Sequence, residues 1–419
     1  MNSLESYTLR VAKQAKEAGR ITAGLKTAQK NRVLLEIVRL LGKEKERLRR
    51  ANEKDLKKAA QLKLAPALMD RLTLTPQRID EVREGVRVVA GLKDPIGKVL
   101  AKWRRPNGLV ISKVSVPLGV IFIIYESRPN VTSECASLCL KSGNAVILRG
   151  GKEAFYSNQA LVEVYHQALK KFRLPEACVS FVTAQDYEAI DCFLKLEDQI
   201  NLVIPRGGET LIRKVAALSR IPVIKHYKGV CHLYVDQKAD LNLALRVALN
   251  AKCQRPATCN AMETLLVHEK VLSRFLPALG EQLQKANCEV RADSKVRQYL
   301  PWAKRATVED WGREYLANIL AVHSVPNLDT AISHIQNFGS AHTDGIITED
   351  KKAAQRFVDS VDSSSVMVNT STRFSDGFQY GFGAEIGIST DKIHARGPMG
   401  LEGLTSYKYV VEGRGQLRQ

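Results

Sequence analysis

Cys259 stands in the segment of this sequence that is best suited to nucleophilic chemistry. Residues 254–260 read Gln-Arg-Pro-Ala-Thr-Cys-Asn, a polar loop interrupted by proline that leads directly into the apolar run Glu263–Val267. A reactive thiolate needs partial exposure and nearby positive charge, and Arg255 supplies that charge within the same loop. From these residues alone, Cys259 is either a nucleophile or an ordinary loop cysteine.

Two loops that combine glycine pairs with basic residues could bind phosphate. Arg149–Lys152 follows the apolar run Ala145–Leu148, and Arg206–Gly208 follows Asn201–Ile204. Glycine lets the backbone approach a ligand closely, and a helix N-terminus after such a loop offers N–H groups to an anion. Ligands of open α/β sheets bind beyond the carboxyl ends of the strands. The loops are therefore candidate phosphate cradles or, as the alternative, ordinary tight turns, since neither matches a Gly-x-Gly-x-x-Gly or Walker A motif.

No metal site is expected from the spacing of potential ligands. The eight cysteines include no pair with the spacing and setting of a zinc site, and the eight histidines include no His-x-x-x-His pair.

The elements that must position these residues alternate between strands and helices. Residues 1–100 indicate helices, among them one that begins at Thr75-Pro76 and carries Ile79, Val82, Val86 and Val89 at helical spacing. A first series of apolar runs follows: Gly119–Ile124, Ala145–Leu148, Val179–Val182, Asn201–Ile204 and Pro222–Ile224. A second series comprises His232–Val235, Glu263–Val267, Ile319–His323, Gly345–Ile347 and Ser365–Asn369. Short buried strands alternating with helices predict an α/β protein with two tandem Rossmann-type parallel-sheet domains. Two strands lie outside this pattern, Leu109–Val116 and the C-terminal Ser406–Val411.

Composition excludes several classes of protein. The 419 residues are 45% hydrophobic, contain no apolar run of membrane-spanning length and begin without a secretory signal pattern. Eight irregularly placed cysteines do not form a disulfide framework, so a reduced cytoplasmic protein is expected.

The net charge of +19 would suit a nucleic-acid-binding protein. However, the first 105 residues, with 26 Lys and Arg against 12 Asp and Glu, carry most of the excess, and no aromatic residue interleaves the basic runs. We therefore expect a solvated basic face, with binding of an anionic partner as the alternative.

Longer segments of the sequence resemble the aldehyde dehydrogenase superfamily. They occur in the family's order along nearly the whole chain. These segments are Val116–Asn130, Ile147–Ala154, Val203–Gly208, Gln254–Val267, Asn369–Gly377, Tyr380–Thr390 and His394–Gly403. Within the superfamily they are most similar to the branch that reduces γ-glutamyl phosphate in proline biosynthesis.

The resemblance implies a division of the chain into three parts. Residues 1–100 and 117–228 would form the cofactor-binding domain, and residues 229–397 the catalytic domain. Residues 101–116 and 398–419 would pair as an oligomerisation arm, so a homo-oligomer is expected.

The resemblance also assigns roles to individual residues. Cys259 falls on the catalytic cysteine, and Asn130 is the candidate oxyanion donor. Arg128 and Arg255 are candidates for binding the substrate. The cofactor NADPH would be held at its adenosine end by Arg149, Gly150, Gly151 and Lys152, near its diphosphate by Gly207 and Gly208, and at its nicotinamide ribose by Glu314.

The implied reaction is the NADPH-dependent reduction of γ-glutamyl phosphate to glutamate 5-semialdehyde through a Cys259 thioester, with release of phosphate. The resemblance also implies a functional association with glutamate 5-kinase. It implies no nucleic-acid partner and no membrane partner. Hydrolytic members of the superfamily carry a glutamate base after the cofactor domain, whereas the corresponding stretch here, Ile224–Gly229, has no carboxylate. The absence of this glutamate base favours an acyl-phosphate reductase over a hydrolytic aldehyde dehydrogenase. A hydrolytic aldehyde dehydrogenase and a nucleic-acid-binding protein with an inactive enzyme fold are the alternatives.

Overall fold

Two α/β units account for residues 3–418, the part of the chain that the computed structural model describes. Unit 1 contains the chain up to Lys225, Gly381–Gly387 and the residues from Met399 onward. Unit 2 contains His226–Tyr380 and Ile388–Pro398. None of the described helices combines the length and the apolar character that a membrane-spanning helix needs.

Unit 1 begins with helices, as the sequence predicts. They are α1 (Ser3–Ala23), α2 (Thr27–Lys43), α3 (Lys45–Gln61), α4 (Pro66–Leu72) and α5 (Pro76–Gly91). Helix α5 begins where the sequence indicates, because the Thr75 side chain accepts a hydrogen bond from the Arg78 N–H group and Pro76 occupies the first turn. The predicted apolar stripe of α5, from Ile79 to Val89, is buried.

A parallel four-stranded sheet follows in unit 1, preceded by strands β1 (Val99–Arg104) and β2 (Val110–Pro117). Its elements are β3 (Val120–Tyr125), α6 (Pro129–Lys141), β4 (Ala145–Arg149), α7 (Phe155–Lys171), β5 (Val179–Phe181), α8 (Tyr187–Phe193), β6 (Leu202–Arg206) and α9 (Glu209–Leu218). The strand order is β5-β4-β3-β6, and every pair is parallel. Strands β3 and β4 are buried along their whole length, which agrees with their continuous apolar runs.

Unit 2 is built around a parallel sheet of seven strands, which in spatial order begin at Lys304, Glu289, Ile319, Met262, Cys231, Thr343 and Ser365. Its first elements are β7 (Cys231–Val235), α10 (Leu241–Cys253), β8 (Met262–His268), α11 (Leu272–Lys285), β9 (Glu289–Ala292), α12 (Ser294–Arg297), β10 (Lys304–Arg305) and α13 (Val308–Trp311). They are followed by β11 (Ile319–Val325), α14 (Leu328–Phe338), β12 (Thr343–Ile347), α15 (Lys351–Ser360), β13 (Ser365–Val368), and the antiparallel pair β14 (Ile388–Ser389) and β15 (Gly397–Pro398). The two parallel sheets confirm the predicted fold class.

The C-terminal strand β16 (Thr405–Glu412) pairs antiparallel with β2, and β2 pairs antiparallel with β1. The two strands that the sequence left outside the parallel sheets therefore lie side by side in a separate three-stranded sheet. We call this sheet, formed by β1, β2 and β16, the arm sheet.

One predicted strand, Pro222–Ile224, is reduced to a single bridge between Val203 and Val223. Proline has no N–H group to donate to a ladder, so the pairing cannot extend through Pro222.

Candidate active site

The Cys259 loop joins the end of α10 to the start of β8. The Thr258 hydroxyl donates to the Arg255 carbonyl at 2.9 Å, and the Ala261 N–H group donates to the Thr258 carbonyl at 3.0 Å. These bonds form a compact turn in which Cys259 is half-buried. The cysteine thus precedes β8 at the amino end of the strand, whereas our expectation for open sheets placed ligand sites beyond the carboxyl ends.

A buried ion pair ties the two ends of this loop together. Lys252, near the end of α10, donates to the Glu263 carboxylate on β8 at 2.6 Å, and neither side chain is exposed to solvent. Burial raises the pKa of the Glu263 carboxyl to about 7, because attraction to Lys252 offsets only part of the lost hydration. The pair therefore fixes the span of chain that carries the candidate nucleophile.

Arg373 joins the Cys259 loop from a distant part of unit 2. It lies in the short 3-10 helix Thr372–Phe374, and its Nε donates to the side chain of Gln254 at 2.9 Å. The Asn260 amide completes the connection by donating to the Ser375 carbonyl at 2.9 Å. Burial, and then repulsion by Arg255, lower the pKa of Arg373, while attraction to Cys259 acts in the opposite direction. Two guanidinium groups therefore act electrostatically on the same site.

Two imidazoles also lie beside the sulfur. One ligand atom from each of His226, Cys259 and His342 lies within 4.8 Å of the other two. The two rings are nearly perpendicular, with centroids 5.7 Å apart. The segment after His226 packs directly on the loop, because a Cβ at Gly229 would overlap the Cys259 carbonyl oxygen.

Cys231 supports the Cys259 loop from beneath. Its thiol donates to the Cys259 carbonyl at 3.1 Å. Burial raises the pKa of Cys231 well above its ordinary value, so this sulfur keeps its proton as a hydrogen-bond donor. Cys231 therefore has a supporting role in the packing of this loop.

Glu314 lies half-buried in the connection between α13 and β11. Its charge contributes to raising the pKa of Glu263, which places it in the electrostatic surroundings of the buried ion pair. The neighbouring Tyr315 hydroxyl donates to Asp310 at 2.8 Å and so anchors this connection.

In unit 1 the basic loops follow β4 and β6, which lie on either side of β3 in one parallel sheet. The Arg149 side chain is buried and donates to the carbonyls of Gly150 and Gln185 at 2.7 and 2.8 Å. Its guanidinium also lies over the Tyr187 ring. Arg149 thus supports the loop, and Lys152 is its exposed cation.

The second loop ends at the N-terminus of α9, where an anionic oxygen is already bound. The Gly208 N–H group donates to the Glu126 carboxylate at 2.7 Å. A helix N-terminus favours negative charge, and the carboxylate shows that this N–H group is directed at an oxygen ligand. The Gly208 N–H group is thus directed at an anionic oxygen, here that of Glu126, and binding of a cofactor phosphate by Gly207 and Gly208 stays a prediction.

Arg128 and Asn130 lie at the start of α6, after β3 of the same sheet. Arg128 is exposed at the N-cap position. The Asn130 amide donates to the Glu134 carboxylate at 2.9 Å, so in this structure it is directed along its own helix. The candidate residues of unit 1 thus share the carboxyl edge of one sheet, while those of unit 2 surround the amino end of β8.

Comparison with known proteins identifies the family. The model of the aldehyde dehydrogenase family matches residues 5–310. The chain is 53% identical over 410 residues to a γ-glutamyl phosphate reductase of Carboxydothermus hydrogenoformans, covering 98% of this chain and 99% of that relative. It is 50% identical to a γ-glutamyl phosphate reductase of Moorella thermoacetica, covering 97% of both chains. The crystal structure of a γ-glutamyl phosphate reductase from Thermotoga maritima superposes with a TM-score of 0.96 at 45% identity, covering 98% of this chain and 100% of that one.

The chain belongs to the γ-glutamyl phosphate reductases of the aldehyde dehydrogenase family.

Membership of the aldehyde dehydrogenase family implies a nicotinamide cofactor for this reductase. The carboxylate held by the Gly208 N–H group shows that unit 1 offers a donor suited to an anionic oxygen of such a cofactor. The residues present therefore fit the group.

Sequence reasoning missed three side chains around the reductase's Cys259 loop. His226, His342 and Arg373 are far from Cys259 in the chain, and only the pairing of the strands and the 3-10 helix brings them together. A signal was available for Arg373, which lies inside the family-like segment Asn369–Gly377.

Proposed function

We propose that this reductase converts γ-glutamyl phosphate to glutamate 5-semialdehyde with NADPH and releases phosphate, the second step of proline biosynthesis. The observation that carries the proposal is the half-buried Cys259 in a loop on which the guanidinium groups of Arg255 and Arg373 act. A sulfur nucleophile beside two guanidinium groups suits an acyl phosphate, which has an electrophilic carbon and an anionic leaving group.

In the first step the Cys259 sulfur attacks the acyl carbon of the substrate. The new S–C bond forms as the C–O bond to phosphate breaks, and the bonding pair leaves with the phosphate. Arg255 and Arg373 stabilise the negative charge on the leaving group, since guanidinium matches phosphate in charge and geometry. A thioester on Cys259 results.

The second step needs stabilisation of an oxyanion on the thioester carbon. The Cys259 backbone N–H group is the donor that we assign within unit 2. NADPH, when bound, supplies the hydride that reduces the thioester. The resulting thiohemiacetal oxyanion on Cys259 collapses: its C–O bond becomes the carbonyl of the semialdehyde as the S–C bond breaks, and the bonding pair returns to the sulfur as a thiolate.

For the cofactor we assign the loops that follow β4 and β6 in unit 1. Exposed Lys152 is the residue of the first loop suited to a 2′-phosphate, because Arg149 is engaged with backbone carbonyls. Gly150 and Gly151 keep this loop narrow beside the adenosine end. The N–H groups at Gly207 and Gly208 suit the diphosphate, and the Glu314 carboxylate suits ribose hydroxyls.

We also propose two partners for the reductase, namely further copies of the chain and the kinase that makes its substrate. The arm sheet would join copies of the chain into a homo-oligomer. The substrate must come from a kinase that phosphorylates the side-chain carboxylate of glutamate, so we infer a functional association with glutamate 5-kinase.

Replacement of the nucleophile tests the proposed function. Cys259→Ala is expected to reduce turnover by about 10³-fold or more, because no thioester can form. NADPH binding, followed by cofactor fluorescence, is expected to stay within about threefold of the wild-type value. Cys192→Ala, at a half-buried cysteine of unit 1, is the matched control and should keep its turnover. Turnover retained by Cys259→Ala would show that the assignment of the nucleophile is wrong.

A further inference from the structure

Three side chains that can bind metal ions converge at the Cys259 loop. His226, Cys259 and His342 each contribute one ligand atom to a group in which all three atoms lie within 4.8 Å of one another. Each residue precedes a different strand, β7, β8 and β12 respectively, and these strands are neighbours in the sheet. The parallel pairing of the strands therefore brings their amino ends, and the three ligands, to one place.

The donor set is the one that zinc prefers. Zinc is bound by thiolate and imidazole in tetrahedral sites, with bond lengths of about 2.3 and 2.0 Å. Such bonds place the ligand atoms about 3.3–3.6 Å from one another. Small rotations of the Cys259 and His226 side chains would bring the three ligand atoms to these shorter distances. Both side chains can rotate because they are only half-buried.

The surroundings of His342 orient its ring. His342 is fully buried, and its Nδ1 lies 2.9 Å from the Thr343 hydroxyl and 3.7 Å from the Cys231 sulfur. In metal-binding histidines, a hydrogen bond at one ring nitrogen fixes the orientation of the ring while the other nitrogen binds the metal. Access for an ion is from the side of His226 and Cys259, which are both partly exposed.

We propose that His226, Cys259 and His342 form a site for a zinc ion, and that the bound ion blocks the nucleophile. Binding forms one Zn–S and two Zn–N bonds and releases the thiol proton to solvent, with no change in oxidation state. The sulfur pair that would attack the acyl carbon is then shared with the metal. The inhibitory consequence rests on the proposed function of Cys259, whereas the binding of the ion does not.

The two guanidinium groups limit the affinity of the site. Arg255 and Arg373 repel a divalent cation, so we expect reversible binding in the micromolar range rather than the tight binding of a structural zinc site. Substrate in the site would exclude the ion because both need the Cys259 sulfur.

Cobalt(II) is the probe for the site, because a cobalt–thiolate bond gives a charge-transfer band in the near ultraviolet. The reduced full-length protein, freed of metals with a chelator, is titrated with Co²⁺. We expect one Co²⁺ per chain, a band that Zn²⁺ abolishes by displacement, and loss of that band in Cys259→Ala. His226→Ala should bind Co²⁺ at least tenfold more weakly. His166→Ala, at a half-buried histidine of unit 1, is the control and should bind as the wild type does.

Inhibition is measured in parallel, each variant relative to its own uninhibited rate. Zn²⁺ should inhibit the wild type, a chelator should reverse the inhibition, and His226→Ala should need at least tenfold more Zn²⁺. A wild-type protein without the cobalt band, or a His226→Ala protein that binds Co²⁺ as tightly as the wild type, would overturn the site. If Cys259→Ala lost turnover while the wild type showed no band, the metal site alone would be wrong. If Cys259→Ala kept its turnover, the proposed function would fail whatever the spectrum showed.

Discussion

The residues around Cys259 combine a nucleophile with two kinds of neighbour, guanidinium groups and imidazoles. Cys259 and Arg255 could be predicted from the sequence because both lie in one polar loop. Arg373, His226 and His342 could not be placed there, since hydrogen bonds and strand pairing between distant segments bring them to the loop. The supporting role of Arg149 could not be predicted either, because the sequence does not show that this arginine is buried and donates to backbone carbonyls.

Among single residues, Arg373→Lys should weaken the binding of phosphate at the site. Lysine keeps the charge but loses the planar pair of donors that fits a phosphate. In the reverse reaction we expect the KM for inorganic phosphate to rise about tenfold, in line with the loss of one charge-assisted hydrogen bond. The KM for the semialdehyde should change little. Arg274→Lys, at an exposed arginine of α11, is the control; equal changes in both KM values for Arg373→Lys would indicate a structural role instead.

At the scale of elements, the continuous apolar runs predicted the central strands, because a strand buried on both faces must be apolar throughout. The edge elements were harder to predict. Strand β1 is exposed along its whole length although most of its residues are apolar, and β9 is a short strand in which charged residues alternate with buried apolar ones, so neither has the sequence pattern of a buried central strand. The ion pair between Lys252 and Glu263 was also beyond prediction, although it defines the ends of the Cys259 loop.

Lys252→Met tests how strongly this pair holds the loop. Removing one partner leaves the Glu263 carboxyl buried without its counter-charge, which costs about 3–5 kcal/mol when the carboxyl is ionised. The folded-state pKa of Glu263, about 7 in the wild type, should rise further. A raised folded-state pKa means that stability is lost as the pH rises through it. The difference in unfolding free energy between wild type and variant should therefore widen from pH 6 to pH 8.5.

Urea unfolding at the two pH values gives this difference. Lys285→Met, at an exposed lysine at the end of α11, should cost little at either pH. If the difference in unfolding free energy between wild type and Lys252→Met stayed constant or became smaller as the pH rises, Lys252 would not be the group that stabilises the charged Glu263.

At the scale of the whole molecule, the arm sheet presents apolar side chains that nothing in the described chain covers. Trp103, Tyr407, Tyr409 and Val411 are between 39% and 55% exposed. Exposed strands of this kind are hazards unless a partner covers them. This supports the assignment of the arm sheet to contact between copies of the chain. The basic surface of the first 105 residues is in part neutralised by local pairs such as Arg49 with Glu46, which agrees with a solvated face.

Tyr409→Asp is expected to shift the protein towards the monomer, because a charge in the centre of an apolar contact must be desolvated. Light scattering coupled to size-exclusion chromatography gives the mass directly. Leu62→Asp, which alters another exposed apolar residue at the C-cap of α3, should leave the mass unchanged. A Tyr409→Asp protein with the wild-type mass would exclude the arm sheet as the main contact.

Cleavage of the Cys259 thioester by phosphate is tested by the reverse reaction, measured with and without inorganic phosphate. Purified protein is mixed with glutamate 5-semialdehyde and NADP⁺, and the formation of NADPH is followed by absorbance. The Cys259 thioester has no carboxylate base in Ile224–Gly229 to activate water, so phosphate must cleave it. We therefore predict steady formation of NADPH only when phosphate is present. Steady formation without phosphate would mean that water cleaves the acyl-enzyme, and the protein would be a hydrolytic aldehyde dehydrogenase.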